Sequence, residues 1–395
     1  MSTPGTEEIR ELVAEGFDQM VDIRRELHQH PELSFDETAT TELIDGACGA
    51  LGLTRGFCPT PTGAVWTLDG GRPGKTVIIR ADIDALPIVE EADLPFASAT
   101  EGVMHACGHD AHVAQAIGAA RALSQRAEDL PGRYVFLFQP AEEGLGGAER
   151  MIEGGVLDDL DASAVIGCHV ASIVPAGLVG VRPGVTMADV YSLQIDIAGI
   201  GGHGAAYTDG ANPLLAGALL ATRLDSVVAT MSLEGTDCAC TAGVLQAGTA
   251  PNVIPSHAVL KGTLRTFTPE QTAGALANMD QLLAELTAET GCTFALQTTD
   301  HAPAVTNDPG MTDLVRGIAK GVVGESSVLH MPPVSPSDDV SFFLDRIPGC
   351  YFFVGAGLAD GSSGMHHNPG FAIDEACMPI AASVLAAAAV AAAGR

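Results

Sequence analysis

Five side chains that can bind a metal ion lie close together at positions 105–112 of the chain. They are His105, Cys107, His109, Asp110 and His112. In an extended segment, residues two apart face the same side, so the thiolate of Cys107 and the imidazole of His109 can bind one divalent cation. Because one short segment cannot complete a coordination shell, further ligands must come from elsewhere in the chain.

Acids and imidazoles also stand at the ends of apolar segments that are typical of buried β-strands. The segments are 77–80, 134–138 and 164–168, and the side chains that follow them are Asp82, Asp84, Glu142, Glu143 and His169. In an open parallel sheet the carboxyl ends of the strands meet at one edge, where ligands bind. We therefore expect these side chains to converge on Cys107 and His109, although the sequence separates them.

Strand-like segments alternate with helical ones, which indicates an α/β domain built on a mainly parallel sheet. Helices are predicted at about 6–28 and 38–51, and the alanine-rich stretch 380–393 is predicted as a final helix packed on the sheet. The chain has 395 residues, 47% of them hydrophobic, and is long enough for two domains.

The periodicity changes between about residues 186 and 298. The predicted elements there follow the order β-α-β-β-α-β, which is that of a ferredoxin-like unit. We predict that residues 185–299 form an inserted lid or dimerisation domain, and that residues 1–184 and 300–395 form a discontinuous metal-binding catalytic domain. An edge strand of the inserted sheet could pair with a second copy, so a homodimer or higher homo-oligomer is predicted.

The composition argues against several classes of partner. With 49 acids and 19 bases, the net charge of -30 is unfavourable for binding nucleic acid or an anionic membrane surface. The nine cysteines are odd in number and scattered, unlike a disulfide framework, and the polar N-terminus has no secretory signal. We therefore expect a cytoplasmic protein that acts on a small molecule.

Seven segments together resemble one protein family. They lie in order across nearly the whole chain, at 24–34, 80–87, 105–112, 140–144, 201–204, 252–255 and 366–369. On these motifs the chain resembles the M20 metallopeptidase and amidohydrolase family, in particular its N-acyl-amino-acid, hippurate and auxin-conjugate amidohydrolases. One such motif alone would be weak support, whereas seven in order are specific.

The resemblance implies a centre that holds two divalent metal ions. The implied ligands are Cys107, His109, Glu143, His169 and His367, with Cys107 bridging the two ions. His367 is preferred because a family pattern of histidine, one residue, proline and an aromatic residue two positions further matches 367–371; His366 is the alternative. The donor set favours zinc, and manganese, cobalt or nickel would also fit.

The same resemblance implies the catalytic roles. Glu142 is implied as the general base that takes a proton from the attacking water and returns it to the leaving amine. Asp84 is implied as a carboxylate that orients a metal ligand. His203, in the inserted domain, is implied to donate to the oxygen of the tetrahedral intermediate in the partner subunit's site.

Asn252 and Arg265 are implied to bind the carboxylate of the substrate, for which a guanidinium is well matched. For Arg265, a plain ion pair with a surface acid is the alternative. Three other histidines, His28, His30 and His112, are predicted to be surface or helix-capping residues and not ligands.

The resemblance implies a metal-dependent hydrolase that cleaves N-acyl amino acids to a carboxylic acid and a free amino acid. A dipeptidase or carboxypeptidase of the same family is the alternative, because the same chemistry cuts any amide. A metal-binding relative without turnover is a third interpretation. Glu142 favours an enzyme, because a mere binding site has no use for a second carboxylate beside Glu143.

Overall fold

The computed structural model describes residues 3–144, 146–206 and 210–395. The chain divides into two compact units. The first comprises Met1–Gly184, Thr306–Met331 and Asp339–Arg395, and the second comprises Val185–Val305 and Pro332–Asp338. Across the described ranges, no helix is both long enough and apolar enough to cross a bilayer.

Ten helices and eighteen strands, several of them only two residues long, are found in the described residues. The helices are α1 (Thr6–Ala14), α2 (Phe17–Gln29), α3 (Thr38–Ala50), α4 (His109–Ser124), α5 (Gly147–Glu153), α6 (Pro213–Ala221), α7 (Pro269–Thr290), α8 (Pro309–Val323), α9 (Ser341–Leu344) and α10 (Cys377–Ala393). The strands are β1 (Thr54–Arg55), β2 (Ala64–Asp69), β3 (Arg72–Asp82), β4 (Pro131–Gln139), β5 (Ala162–Pro175), β6 (Val179–Gly180), β7 (Gly184–Met187), β8 (Asp189–Ala198), β9 (Gly202–His203), β10 (Ser232–Leu233), β11 (Thr236–Asp237), β12 (Ala239–Ala247), β13 (Val253–Ile254), β14 (His257–Thr266), β15 (Thr293–Ala302), β16 (Val305–Asn307), β17 (Val328–Leu329) and β18 (Gly349–Gly357).

An eight-stranded sheet forms the centre of the first unit, in the order β1-β2-β4-β3-β5-β18-β6-β17. Its four middle strands, β4, β3, β5 and β18, run parallel to one another. Val77, Ile78 and Ile79 of β3 are all fully buried, as expected for a parallel strand that is covered on both faces. The predicted α/β fold with a mainly parallel sheet is confirmed.

Helices cover both faces of this sheet. On one face, α10 packs against α4, α8 and α1, and its many alanines allow the helices to approach closely. On the other face, a smaller apolar cluster joins Met151 of α5 and Phe343 of α9 to Ile78 and Val165 of the sheet. The sheet is therefore the middle of three layers, which gives the residues at its strand ends a rigid base.

The second unit contains an antiparallel four-stranded sheet in the order β12-β14-β8-β15. In chain order its elements are β8-α6-β12-β14-α7-β15, so the predicted ferredoxin-like unit is confirmed. Leu220 of α6 and Met279 of α7 lie in the apolar core of this unit. The strand β12 lies at one edge of the sheet.

Local sequence signals explain where the helices of the second unit begin and end. Thr268 caps α7 by accepting the backbone N–H of Gln271, Pro269 occupies the first turn, and Gly291 ends the helix with a φ of 71°. Asn212 caps α6 in the same way, directly before a proline. These signals are local, which is why the helix order could be predicted.

Residues 332–338, which the sequence analysis placed with the first domain, pack with the second unit. The backbone N–H of Ala188 donates to the carbonyl oxygens of Val334 (3.1 Å) and Pro336 (3.0 Å). This pairing joins segments far apart in the chain, so no local pattern could have indicated it.

Candidate active site

A glycine turn positions the two donors at the start of α4. Gly108 has a φ of 90°, in the left-handed region, and is the N-cap residue, so His109 is the first residue of the helix. A Cβ atom at Gly108 would lie 2.4 Å from Cγ2 of Val170. The assumption of an extended segment was therefore wrong, because a turn and a helix start bring Cys107 and His109 together.

His109 faces several carboxylates with a nitrogen that is free to bind a cation. Its Nδ1 donates to the backbone carbonyl oxygen of Asp84 at 2.9 Å. Its Nε2 is buried and has no hydrogen-bond partner among the described residues. Carboxylate oxygens lie 3.8 to 4.0 Å from this Nε2, on Asp82, Glu142 and Glu143. In the neutral imidazole, the lone pair on Nε2 thus points into a strongly negative environment.

Cys107 belongs to two groups of possible metal donors. The donor atoms of Cys107, His109 and Glu143 lie within 4.8 Å of one another, and so do those of Cys107, His169 and His366. Nδ1 of His169 donates to a neighbouring carbonyl oxygen at 2.7 Å, so its Nε2, 3.5 Å from Sγ of Cys107, keeps its lone pair. Two donors on one tetrahedral zinc ion lie roughly 3.4 Å apart, so these spacings are compatible with bound divalent ions.

The two adjacent histidines lie beside different donors. Nε2 of His367 lies 3.1 Å from Oε1 of Glu143, an oxygen that is buried and accepts no hydrogen bond from any described residue. Nδ1 of His366 lies 3.8 Å from Sγ of Cys107, while its Nε2 accepts the backbone N–H of Ser172 at 3.4 Å. Burial lowers the pKa of His366 to about 4, so its ring is neutral. Among the described residues, His366 thus groups with the donors Cys107 and His169, whereas His367 approaches Glu143.

Two residues of the site have unusual backbone conformations. His367 has a φ of 62°, and its N–H donates to the carbonyl oxygen of Ala106 at 2.9 Å. Ala141, directly before the two glutamates, has a φ of 54°. Positive φ is rare for residues with a side chain, and such strained positions cluster at functional sites.

Asp84 holds the glutamate loop in place. Its Oδ1 accepts the N–H of Glu142 at 3.1 Å, and its Oδ2 accepts the N–H of Glu143 at 3.0 Å and the hydroxyl of Ser34 at 2.7 Å. Burial raises the pKa of Asp84, but His109 and these donors outweigh burial and lower it, so Asp84 is ionised. One buried carboxylate thus orients both glutamates and the His109 ring, whose Nδ1 lies 3.3 Å from Oδ1.

The site carries an excess of negative charge. Burial lowers the pKa of His109, but the carboxylates of Asp82 and Asp84 outweigh burial and raise it to about 10. Burial and the nearby glutamates raise the pKa of the Cys107 thiol well above its usual value. A bound cation reverses both effects, because it stabilises a thiolate and a neutral imidazole. Charge and donor types therefore fit a divalent metal ion.

The sequence analysis missed a buried network next to these donors. Nδ1 of His112 donates to Asp82 at 2.6 Å, and its Nε2 accepts the N–H of Val170 at 3.0 Å. Asp82 also accepts from Arg80 at 2.6 Å. His112 is therefore a buried, fully hydrogen-bonded residue, and the prediction of a surface or capping position was wrong. The i, i+3 spacing of His109 and His112 was the available signal.

His28 is also buried, so the prediction of a surface position was wrong for it too. Its Nδ1 lies 2.8 Å from Oδ2 of Asp110, and its Nε2 lies 3.1 Å from Oε1 of Glu90. His30 is exposed, as predicted. Arg24 and His28 are four residues apart on α2, which could have indicated a shared buried face.

In the second unit, two short strands bring His203 and Asn252 together. Val253 of β13 pairs with His203 of β9, and the carbonyl oxygen of Asn252 accepts the N–H of Gly204 at 2.9 Å. Nδ1 of the exposed His203 accepts the N–H of Ala205 at 3.1 Å. The proton of the neutral ring is therefore on Nε2, which can donate a hydrogen bond.

Arg265, on β14, is a half-buried cation that the described residues provide with no carboxylate partner. It donates to the carbonyl oxygen of Ser335 at 3.1 Å and to the hydroxyl of Ser337 at 3.4 Å. Burial lowers the pKa of its guanidinium. The alternative of an ion pair with a surface acid is thus not seen for Arg265 among the described residues.

The chain is similar to known proteins over nearly its whole length. The model of Peptidase family M20/M25/M40 matches residues 78–391. Thermostable carboxypeptidase 1 of Saccharolobus solfataricus is 35% identical over 381 residues, which are 95% of this chain and 96% of the relative. N-acetyl-L-cysteine deacetylase of Bacillus subtilis is 36% identical over 361 residues, 90% of this chain and 84% of the relative.

The fold is likewise similar to that of a solved structure. A Bacillus subtilis protein described as a dinuclear metal binding peptidase from the M20 family has a TM-score of 0.81 and 32% identity, covering 96% of this chain and 99% of that chain. The resemblance inferred from the seven motifs is thus confirmed. The chain belongs to Peptidase family M20/M25/M40.

Proposed function

We propose that this metal-dependent amidohydrolase cleaves the amide bond of N-acyl amino acids and releases a carboxylic acid and a free amino acid. The observation that carries the proposal is the position of Glu142. Its Oε2 lies 4.0 Å from Nε2 of His109, which has no hydrogen-bond partner among the described residues, and its backbone N–H donates to Asp84. Glu142 lies beside the proposed metal ligands but is not one of them. Its carboxylate is therefore suited to taking up and releasing a proton.

The proposed ligands of two divalent ions are Cys107, His109, Glu143, His169 and His367. The similarity to a dinuclear metal binding peptidase supports two ions, and the soft thiolate of Cys107 favours zinc over manganese, cobalt or nickel. His366 is the alternative to His367. When bound, the ions supply Lewis acidity that polarises the amide carbonyl and makes water a stronger acid.

Glu142 takes a proton from the water that attacks the carbonyl carbon of the amide. The carbon–nitrogen bond then breaks, and Glu142 returns the proton to the leaving amine nitrogen, so the carboxylate is restored. Asp84 maintains this arrangement, because it accepts hydrogen bonds from the backbone of both glutamates.

The second unit supplies the proposed substrate contacts. His203 donates from Nε2 to the oxygen that becomes negative in the tetrahedral intermediate, in the site of the partner subunit. Arg265 and Asn252 bind the α-carboxylate of the substrate. The absence of a carboxylate beside Arg265 among the described residues supports this role, since an unpaired guanidinium attracts an anion in a protein of charge -30.

Action in the partner's site requires a homodimer, and β12 offers a surface for one. This edge strand exposes Val244 and Leu245, each 40% exposed, and α6 exposes Leu214 and Leu215. Exposed apolar edge strands pair with other chains. We place the dimer in the cytoplasm, as the scattered and odd number of cysteines suggests.

A carboxypeptidase or dipeptidase is the second candidate, supported by the similarity to thermostable carboxypeptidase 1. Rates measured on N-acetyl amino acids, N-benzoyl amino acids and dipeptides, with metal-stripped and with zinc- or manganese-loaded protein, separate the two candidates. Faster cleavage of dipeptides than of every N-acyl amino acid would favour the second.

The mechanism is tested by Glu142→Gln with Glu143→Gln as its matched neighbour. The Glu142 variant is expected to keep the metal content of the wild type and to lose about 100-fold to 10,000-fold in kcat. The Glu143 variant is expected to lose metal as well as activity. Turnover by a fully loaded Glu142 variant at the wild-type rate would overturn the mechanism.

A further inference from the structure

A buried arginine joins the start of α4 to the segment before α10. Arg24 of α2 is 1% exposed. Its Nε donates to Oδ2 of Asp110 at 3.1 Å, and another nitrogen of the same guanidinium donates to Oε1 of Glu375 at 2.8 Å. Asp110 directly follows His109, and Glu375 lies eight residues after His367.

His28, one turn further along α2, makes a second connection. Its Nδ1 lies 2.8 Å from Oδ2 of Asp110, and its Nε2 lies 3.1 Å from Oε1 of Glu90. The residue after Glu90 donates its backbone N–H to the carbonyl oxygen of Pro369 at 2.8 Å. Both connections therefore run from Asp110 through α2 to the segment that contains the adjacent histidines.

We propose that Arg24 and His28 are positioning residues that hold two ligand-bearing segments at a fixed separation before metal binds. The inference rests on the proposed metal centre. One segment carries Cys107 and His109, and the other carries His367. A planar guanidinium with two carboxylates at fixed angles is a stiffer spacer than an ammonium, which contacts them as a point charge. When the ligands are already held at the right separation, metal binding does not have to order them, and the affinity is higher.

Arg25 provides a matched control on the same helix. It also binds Glu375, with nitrogen to oxygen distances of 3.0 Å and 2.7 Å, but its side chain is 44% exposed. Among the described residues its hydrogen bonds go to Glu375 and not to Asp110, so it touches only one of the two segments. If Glu375 needed only a neighbouring positive charge, Arg24 and Arg25 would be equivalent.

The test compares Arg24→Lys, His28→Gln and Glu375→Gln with Arg25→Gln. Zinc affinity is measured by competition with a chelator, and cobalt-substituted protein is compared by its absorption spectrum. The first three variants are expected to bind zinc about 10-fold to 100-fold more weakly and to shift the cobalt spectrum. Arg25→Gln is expected to keep the wild-type affinity and spectrum. In the steady state, kcat should fall more than KM rises.

Thermal unfolding of the metal-free variants separates positioning from folding. Glu375 is at the surface, 17% exposed, so its variant tests one connection even if Arg24→Lys does not fold. The inference would be overturned if the folded variants kept the zinc affinity and cobalt spectrum of the wild type. It would also be overturned if Arg25→Gln lost as much zinc affinity as the other three variants. A wild type that binds no divalent ion would instead overturn the proposed function.

Discussion

At the scale of single residues, the site depends on which imidazole nitrogen carries the proton. His109 and His169 each donate from Nδ1 to a backbone carbonyl oxygen, so Nε2 is left to bind a metal ion. His203 has the opposite arrangement, with Nδ1 accepting and Nε2 free to donate. Identical side chains thus have different chemistry because their second nitrogen has a different partner.

The buried imidazole of His28 predicts a pH dependence of stability. Burial lowers its pKa, but hydrogen bonds with Asp110 and Glu90 outweigh burial and raise it from 6.5 to about 9, while the nearby Arg24 opposes protonation. Its stabilising effect is therefore complete below about pH 6.5 and is lost as pH rises through about 9. The full effect is on the order of 3 kcal/mol.

We expect the difference in free energy of unfolding between wild type and His28→Gln to shrink as pH rises from 6.5 to 9.5. Urea denaturation of the metal-free proteins at each pH measures it. His30→Gln is the control, because His30 is exposed and should show no such trend. A difference that stays constant over this range would contradict a protonated His28.

At the scale of elements, the start of α4 decides where the metal donors lie. The left-handed conformation of Gly108 turns the chain between Cys107 and His109, and Val170 of β5 packs directly against it. The adjacent strands β3 and β5 and the loop after β4 then bring carboxylates and His169 to the same edge. The site therefore depends on both features: the turn positions Cys107 and His109, and the sheet positions the carboxylates and His169.

Gly108→Ala is expected to lower the free energy of unfolding by about 2 kcal/mol or more. The reasons are the positive φ and the 2.4 Å approach of a Cβ to Val170. Zinc affinity should fall as well, since the turn positions both donors. Denaturant unfolding and chelator competition measure the two effects.

The control is Gly46→Ala in the middle of α3, where a Cβ meets no atom within 4 Å. Alanine at an exposed helical position should raise stability by roughly 1 kcal/mol. Equal effects of the two substitutions would show that the turn at Gly108 is not required.

At the scale of the whole molecule, the proposed roles are divided between two units and two subunits. Glu142 lies in the first unit, whereas His203 lies in the second. If His203 acts in the partner's site, a dimer of His203→Ala and Glu142→Ala chains contains one site with both defects and one intact site. Activity then depends on assembly and not on either chain alone.

Mixing the two inactive variants in equal amounts should therefore restore activity. Random exchange makes half of the dimers mixed, with one intact site in two, so recovery should reach about a quarter of the wild-type activity. Exchange is verified by mass spectrometry of differently tagged chains. Verified exchange without recovered activity would contradict action in the partner's site.

Much of the fold was accessible from the sequence because its signals are local. The strands β3, β4 and β5 appear as apolar segments, and the ferredoxin-like order appears as alternating strand and helix periodicity. The acids at the strand ends were predicted to meet at one edge, and Asp82, Glu142 and Glu143 do lie within 4.0 Å of His109. Residue types and their local spacing were sufficient for these conclusions.

The buried polar partners were not accessible in this way. Arg24 and Asp110 are 86 positions apart, and His28 and Asp110 are 82 apart. The helical spacing of His28 with Arg24 and of His112 with His109 indicates a shared face, but it does not identify the partners that this face meets. Their surroundings depend on how α2 and α4 pack on each other.

The sequence by itself determined the family, the α/β fold with its ferredoxin-like insertion, and the side chains available for chemistry. Only the tertiary structure decided the glycine turn between Cys107 and His109, the partners of each imidazole nitrogen and the burial of Arg24 and His28. The physical reason is that motifs and periodicity reflect neighbours along the chain. Hydrogen bonds and burial depend on neighbours in space, which helix packing and strand register bring together.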